Sequence, residues 1–518
     1  MMHASVQRVR AATARAPARL VAAQYGNWKH GYAAPGRCLS SSPSSVLEVD
    51  DPYTGKTYCK VNMMGDAAVS KLIDNASLAQ TEWKHSSLED RIAIVKKFLD
   101  YFEKHEDEIV QDITGQMGKP LAHSKGEIRG LRERTIAMMD LAPKALNPYI
   151  LGETTNNKDT EHFKRSIHRE PVGIVLTLAP YNYPLLTAVN SIVPAVLAGN
   201  AVVVNHGFRT PLISEHFERA FAHAGAPKGL VASQKCEYDV LHKSIRAGLY
   251  DFVSFTGSVE GGTLVQASVA ACAPKKFIDC TLELGGNDGA YVAKDADLNI
   301  AAATIVDGGL FNAGQSCCGM ERAFVHEKVY DKFIELAREE YKTAYGNVGD
   351  PRDASTAMGP MAQPQAIPQL AKLVADAKAK GATVVLGGKT DEFAGKSAPR
   401  IFSPTLLADC DASMKIMFEE SFGPVIAVQK VSSMDEAIAG VNASKYGLTS
   451  AIFTNKESKA EQYANAVDVG TVFMNRADYL DPYMPWQGRK ATGKGLSLSH
   501  LGFNAFTRLK NHHFKLLK

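Results

Sequence analysis

Beyond about residue 48, apolar and polar residues follow two spacings that alternate along the chain, one helical and one extended. A helical pattern starts after Ser87, which can cap a helix together with Asp90 three residues later, and it continues to Gly115 or Gly118. The sequence therefore predicts one long helix whose apolar face is formed by Ile92, Val95, Phe98, Leu99 and Phe102.

Three continuous apolar runs predict buried strands, because a strand inside a parallel sheet is covered on both faces. They span residues 173–178, 201–204 and 252–255, and each ends in turn-forming or polar residues. Helical and extended patterns alternate through the body of the chain, which is typical of the α/β class. Ligands in open α/β sheets bind at the carboxyl ends of the strands, so we expect the chemistry there.

Length and composition limit the function classes. At 518 residues the chain is long enough for about three lobes, and 45% hydrophobic with 22% charged residues is the balance of a folded protein. A net charge of +3 does not indicate the excess of basic residues that is typical of nucleic-acid-binding proteins. No apolar run reaches the roughly 18 residues of a membrane span. The eight cysteines lack CxxC spacing, which indicates a reducing compartment, and no metal site is expected.

Residues 1–44 have the composition of an organellar transit peptide. They contain no acidic residue, and Arg8, Arg15 and Arg19 would share one face of a helix. The segment 37–40 resembles a processing site. We therefore expect the mitochondrial matrix, with a disordered basic tail as the alternative interpretation.

Four segments combine reactive side chains with glycine or proline turns. They are 180–184 (PYNYP), 255–258 (FTGS), 282–286 (LELGG) and 314–318 (GQSCC). In this order they resemble the aldehyde dehydrogenase superfamily, and further landmarks agree at 348–351, 358–361, 419–424 and 446–448. The resemblance extends from about residue 48 to the C-terminus. It implies an aldehyde dehydrogenase-like fold with a Rossmann-like cofactor domain, an α/β catalytic domain and a β oligomerisation arm.

The resemblance implies three catalytic residues. Cys317 matches the cysteine of the family's GQxC motif and would attack the aldehyde as a thiolate, with Cys318 as its neighbour. Asn182 would donate a side-chain N–H to the oxygen of the tetrahedral intermediate, together with the backbone N–H of Cys317. Glu283 would activate the water that releases the thioester. Relatives that pass the acyl group to coenzyme A typically lack this glutamate, so a free acid is the expected product.

The resemblance also implies a nicotinamide cofactor. Gly257, Ser258 and Gly262 match a turn in which the N-terminus of a helix faces the pyrophosphate. The residues matched to the nicotinamide half are Glu420, Phe422 and Tyr181.

The adenosine end departs from the family pattern. Relatives carry a lysine and often a glutamate on the adenine ribose, where this chain has Asn205 and Phe208. Loss of the glutamate removes repulsion of a 2′-phosphate, whereas loss of the lysine removes attraction, so the two changes oppose each other. We therefore expect the protein to use NAD, bound with weakened affinity. Because Arg209 is a cation near this position, NADP stays an alternative cofactor.

The substrate is expected to be a small aldehyde. Asn190 stands where succinic-semialdehyde enzymes place an arginine for the distant carboxylate, which makes a dicarboxylic semialdehyde less expected unless another cation replaces it. Aromatic residues match the channel mouth of relatives and suit an apolar or aromatic aldehyde, with plain core packing as the alternative. They are Tyr183, Tyr479, Tyr483 and Trp486.

Family architecture implies a cofactor domain formed by residues 45–151 and 172–284 and a catalytic domain at 285–475. Residues 152–171 and 500–518 would form an arm that builds homodimers or homotetramers. Two alternatives stay open. One is an NADP-preferring semialdehyde dehydrogenase, and the other is a scaffold or binding protein that kept the fold but binds the cofactor weakly.

Overall fold

The computed structural model describes residues 45–151, 163–388, 400–477 and 479–516. The predicted transit peptide of residues 1–44 lies outside the described residues and stays a prediction, and so does the part of the predicted arm at 152–162. Within the described ranges, none of the helices combines the length and the apolar character that crossing a membrane requires.

Helices and strands alternate along the described residues. The helices are α1 (Asp66–Trp83), α2 (Leu88–Lys104), α3 (Glu106–Met117), α4 (Leu121–Leu146), α5 (Pro184–Leu197), α6 (Ile213–His223), α7 (Tyr238–Arg246), α8 (Val259–Ala270), α9 (Leu298–Leu310), α10 (Tyr330–Tyr345), α11 (Ala366–Ala379), α12 (Met434–Asn442) and α13 (Glu457–Ala466). The strands are β1 (Val46–Asp50), β2 (Thr57–Asn62), β3 (Tyr149–Ile150), β4 (Phe163–Pro171), β5 (Ile174–Ala179), β6 (Ala201–His206), β7 (Val231–Ser233), β8 (Phe252–Thr256), β9 (Asp279–Glu283), β10 (Asp288–Val292), β11 (Met320–His326), β12 (Thr383–Leu386), β13 (Thr405–Ala408), β14 (Val425–Val431), β15 (Tyr446–Gly447), β16 (Thr449–Phe453), β17 (Thr471–Met474), β18 (Arg489–Lys490), β19 (Gly493–Lys494) and β20 (Thr507–Lys515).

The first large sheet has the strand order β19-β9-β8-β5-β6-β7. Its strands β9, β8, β5, β6 and β7 are parallel, and β19 joins β9 in the antiparallel direction. The three predicted strands are confirmed as β5, β6 and β8. All six residues of β5 and of β6 are buried, as the continuous apolar runs required.

The second large sheet has the order β12-β13-β14-β11-β10-β16-β17 and is parallel except for β12 at its edge. Each large sheet has its own hydrophobic core. The chain passes from the first sheet to the second between β9 and β10 and returns to the first with β19. The two sheets therefore share the connection that follows Glu283.

A three-stranded antiparallel sheet of order β20-β4-β3 contains residues 163–171 and 507–515 of the predicted arm. Strand β20 pairs with β4 over nine residues, from Thr507 opposite Pro171 to Lys515 opposite Phe163. β20 is one of the two edge strands of this sheet, and exposed strand edges favour pairing with another chain. The predicted dimer or tetramer stays a prediction.

The single helix predicted after Ser87 is wrong at its C-terminal half. The capping box of Ser87 and Asp90 is present, but α2 ends at Lys104 and α3 begins at Glu106. His105 interrupts the helix with φ −114° and ψ 23°. The three acidic residues that open α3 favour a helix N-terminus, which the apolar spacing alone does not reveal.

Candidate active site

The carboxyl ends of three strands in the first sheet carry the sequence motifs. Strand β5 leads into 180–184, β8 leads to Gly257, and β9 ends at Glu283. The chain builds outward from β5 through β6 and β7 on one side and then continues with β8 and β9 on the other. The strand order therefore reverses beside β5, and such a switch point forms a crevice for ligands.

Cys317 lies in a loop that leads into β11 of the second sheet. Before it, Asn312, Ala313 and Gly314 have φ angles of 57°, 56° and 68°, an uncommon conformation for residues with a side chain. A side chain on Gly314 would meet a backbone oxygen at 2.2 Å, so only glycine fits there. Cys317 is half-buried and Cys318 is buried. The loop therefore leaves Cys317 accessible and encloses its neighbour.

Asn182 is joined to the Cys317 loop by two hydrogen bonds. Its side-chain Nδ2 donates to the backbone carbonyl oxygen of Gln315 at 2.9 Å, and its backbone carbonyl oxygen accepts from Asn312 Nδ2 at 3.0 Å. Gln315 stands two residues before Cys317. An amide nitrogen carries two hydrogens, so Asn182 keeps one N–H beyond the bond to Gln315 for an incoming oxygen.

A buried ion pair that the sequence did not predict holds Asn182 from the other side. Lys119 Nζ pairs with Glu127, and each side chain is 1% exposed. The same Nζ donates to the carbonyl oxygen of Asn182 at 2.8 Å. Glu127 Oε2 also accepts the backbone N–H groups of Leu185 and Leu186 at 3.1 and 3.2 Å, in the first turn of α5. The pair therefore links Asn182 to the helix that follows it.

Glu283 is half-buried at the end of β9, beside the turn of Gly257. Its carbonyl oxygen accepts the backbone N–H of Gly257 at 3.0 Å. Burial raises the pKa of the Glu283 carboxyl above its usual range, while the hydroxyl of Ser497 and the charge of Arg134 oppose that rise. A raised pKa suits a carboxylate that accepts a proton from water.

The backbone that follows Glu283 runs against the Cys317 loop. A side chain on Gly286 would lie 2.0 Å from the carbonyl oxygen of Cys317, closer than any real contact. The glycine is therefore required by this approach, because any other residue would push the two segments apart. The segments that carry Glu283, Asn182 and Cys317 thus come together from three separate parts of the sequence.

The turn that the resemblance matched to the pyrophosphate site lies at the start of α8. Ser258 caps α8, and its Oγ accepts the backbone N–H of Gly261 at 3.1 Å. Gly262 lets α8 pack closely on the first sheet, because a Cβ there would lie 2.5 Å from Leu284 Cδ2. Gly257 and Ser258 therefore stand at the N-terminus of a helix at the switch point, where the helix dipole favours a phosphate.

The residues matched to the nicotinamide half lie close together. Glu420 Oε1 accepts the backbone N–H of Gly286 at 2.9 Å, and the rings of Tyr181 and Phe422 meet edge to face with centroids 6.3 Å apart. Phe422 has a φ of +46°, and the buried carboxylate of Glu321 accepts its backbone N–H at 2.9 Å. Sequence reasoning missed Glu321, which holds this strained loop in place.

We expect stability to depend on Glu420 between pH 4.5 and about 8. Burial, and next the charge of Glu321, raises the pKa of Glu420 from 4.5 to about 8. A carboxyl with a raised pKa contributes stability that is complete below pH 4.5 and is lost as the pH rises through about 8. Relative to Glu420→Gln, the wild-type free energy of unfolding should fall by up to about 1.4 kcal/mol per pH unit across this window. The measurement is the free energy of unfolding of both proteins, obtained from denaturant titrations at several pH values. The same pH dependence in the two proteins would contradict this expectation.

At the adenosine end, the structure gives Phe208 and Arg209 partners within the protein. Asn205 is buried at the carboxyl end of β6. The ring of Phe208 stacks on Tyr238 with centroids 4.4 Å apart. The guanidinium of Arg209 is buried against the Asp50 carboxylate, so this cation is already paired within the protein.

The aromatic residues matched to the channel mouth divide into separate sites. The hydroxyls of Tyr479 and Tyr483 each donate to a carboxylate of α4 at 3.2 Å. The ring of Tyr183 lies 4.1 Å from Lys119 Nζ, next to Asn182. Trp486 is 5% exposed and belongs to the first core, so the alternative interpretation of core packing is the right one for it.

Comparison with known proteins agrees with this geometry. The model of the Aldehyde dehydrogenase family matches residues 39–512. A succinate-semialdehyde dehydrogenase (NADP+) of Deinococcus radiodurans is 32% identical over 471 residues, which cover 91% of this chain and 95% of the relative. An aldehyde dehydrogenase of Paenarthrobacter nicotinovorans is 34% identical over 461 residues, which cover 89% and 98%.

A solved structure shows the same likeness in three dimensions. The succinic semialdehyde dehydrogenase of Streptococcus pyogenes in complex with NADP+ superposes with a TM-score of 0.83 at 28% identity, covering 90% of this chain and all of that one. The fold, the ordered motifs and the family match agree over the same residues. The chain belongs to the aldehyde dehydrogenase family.

Proposed function

We propose that this protein oxidises an aldehyde to the free carboxylic acid with NAD or NADP, and that Cys317, Asn182 and Glu283 perform the chemistry. The observation that carries the proposal is their assembly. Asn182 bonds to the loop of Cys317, and the backbone after Glu283 passes against that same loop. A nucleophile, an oxyanion donor and a carboxylate in one site are the groups that acyl chemistry through a thioester requires.

In the first half of the reaction, Cys317 Sγ attacks the carbonyl carbon as a thiolate. The carbon–sulfur bond forms, and the electrons of the C=O double bond move to the oxygen. The free N–H of Asn182 and the backbone N–H of Cys317 donate to that oxygen. Donors placed where charge develops typically contribute about 3 kcal/mol each.

The residues of the cofactor site fit a dinucleotide, which supplies the hydride acceptor when bound. Ser258 and Gly257 offer a helix N-terminus that would hold the pyrophosphate, and Glu420, Phe422 and Tyr181 would hold the nicotinamide half. Loss of a hydride from the thiohemiacetal carbon leaves a thioester on Cys317.

In the second half, Glu283 accepts a proton from a water molecule. The water oxygen attacks the thioester carbon, the carbon–sulfur bond breaks, and Cys317 leaves as a thiolate. The product is the free acid, and the proton held by Glu283 returns to solvent. The raised pKa of Glu283 makes it a stronger base than an exposed carboxylate.

The test is reduced-cofactor formation by the purified chain with an aldehyde panel and with NAD and NADP separately. Cys317→Ala should abolish turnover, whereas Cys318→Ala, which removes the buried neighbouring thiol, should retain most of it. Turnover that survives in Cys317→Ala would refute the thioester mechanism. No turnover of any aldehyde with either cofactor would favour the binding-protein alternative.

A further inference from the structure

Arg134 is a buried cation whose hydrogen-bonding partners are all neutral. It projects from α4, is 9% exposed, and has no carboxylate oxygen within 4.0 Å among the described residues. Its Nη1 donates to the carbonyl oxygen of Leu186 at 2.6 Å and to Asn190 Oδ1 at 3.2 Å. Burial of a charge without a counter-charge is costly, so the position calls for an anion that the described residues do not provide.

One edge of the guanidinium stays available. The Nη1 atom is occupied by Leu186 and Asn190, whereas Nε and Nη2 make no hydrogen bond to the described residues and are not sealed from solvent. Nε and Nη2 form the fork that matches the two oxygens of a carboxylate. The contacts of Nη1 therefore fix the orientation of a free anion-binding edge.

Arg134 lies close enough to the candidate site to interact with its charges. Burial lowers the pKa of its guanidinium, and the negative charge of Glu127 and, less strongly, that of Glu283 oppose that shift. Glu283 is the proposed base. Glu127 does not neutralise Arg134 directly, because its oxygens already accept from Lys119 and from the first turn of α5.

Asn190 is one of the two hydrogen-bonding partners of Arg134. It stands on α5 at the position where, by the family resemblance, succinic-semialdehyde enzymes carry an arginine, and its side chain is the one that Arg134 contacts. The cation that α5 lacks is thus supplied to the same place from α4. The sequence expectation against a dicarboxylic semialdehyde rested on Asn190 alone.

We propose that Arg134 determines specificity by binding the carboxylate of an aldehyde acid, so that the substrates of this protein are ω-oxo acids. This inference rests on the proposed function of the same site. The carboxylate oxygens accept from Nε and Nη2, and the aldehyde carbon at the other end of the substrate faces Cys317. Arg134 takes no part in bond formation.

The experiment compares 4-oxobutanoate with butanal, two four-carbon aldehydes that differ in the distal carboxylate. Arg134→Gln should lower kcat/KM for 4-oxobutanoate by roughly 10- to 100-fold, mainly through KM, and should leave butanal nearly unchanged. Arg134→Lys should fall between the two, since it keeps the charge and loses the fork. Arg132→Gln is the matched control, because Arg132 lies on the same helix, is exposed and pairs with Glu103.

An equal loss of kcat/KM for both aldehydes in Arg134→Gln would overturn the proposal. It would show that Arg134 stabilises the packing of α4 against α5 instead of binding the substrate. A wild-type protein without preference for 4-oxobutanoate would overturn it as well. Butanal turnover in Arg134→Gln shows that the variant is folded, and Arg134→Lys carries the same comparison if the glutamine variant does not fold.

A readout without turnover separates this inference from the proposed function. Succinate should slow alkylation of Cys317 by iodoacetamide in the wild type, followed by mass spectrometry, and butanoate should not. The protection should disappear in Arg134→Gln and persist in Arg132→Gln. Protection without aldehyde oxidation would support the anion site while the proposed reaction fails, and oxidation without protection would overturn the anion site alone.

Discussion

Replacing Glu283 by glutamine is expected to let the protein complete one turnover and then stop. Glutamine keeps the size of the side chain but cannot accept a proton from water, so the thioester on Cys317 should form and persist. Reduced cofactor should appear in a burst that matches the number of active sites. The steady-state rate after the burst should fall by about 100- to 10,000-fold, the range that general-base catalysis contributes.

Mass spectrometry of the stalled protein provides the second measurement. The Glu283→Gln variant should carry the acyl group on Cys317, and hydroxylamine, a nucleophile that needs no base from the protein, should remove it. Cys317→Ala is the control, with neither burst nor adduct. A linear time course at the wild-type rate would show that another group activates the water, and the absence of both burst and adduct would place Glu283 before thioester formation.

Local patterns in the sequence predicted the elements that depend on local physics. The buried strands β5, β6 and β8 were visible because parallel strands need continuous apolar runs, and the capping box was visible because Ser87 and Asp90 satisfy each other within one turn. The break at His105 was not, since apolar residues continue at helical spacing on both sides of it.

The candidate site was predictable only where its residues lie in motifs. Asn182, Glu283 and Cys317 stand in such motifs, and the structure brings the three segments that contain them together. Lys119 and Arg134 were missed because a charged residue on a helix or in a turn is usually solvated, and only packing between distant segments buries these two. The one local signal for Lys119 is its position between Gly118 and Pro120 in an otherwise apolar turn.

Replacing Lys119 by methionine is expected to destabilise the protein by about 3 to 5 kcal/mol, because the substitution leaves the buried Glu127 carboxylate without its paired cation. The same change removes the donor to the carbonyl oxygen of Asn182. Thermal unfolding should therefore begin at a lower temperature, and kcat should fall for every aldehyde, since a displaced oxyanion donor acts on all substrates alike.

The double variant Lys119→Met with Glu127→Gln separates these two effects. It removes both buried charges, and glutamine retains an oxygen for the N–H groups of Leu185 and Leu186, so more than half of the lost stability should return. The low kcat should not return, because Asn182 still lacks the bond from Lys119. Recovery of both properties would show that the ion pair serves stability only. Recovery of neither would show that Lys119 is needed for folding through a contact other than Glu127, such as its position against the Tyr183 ring.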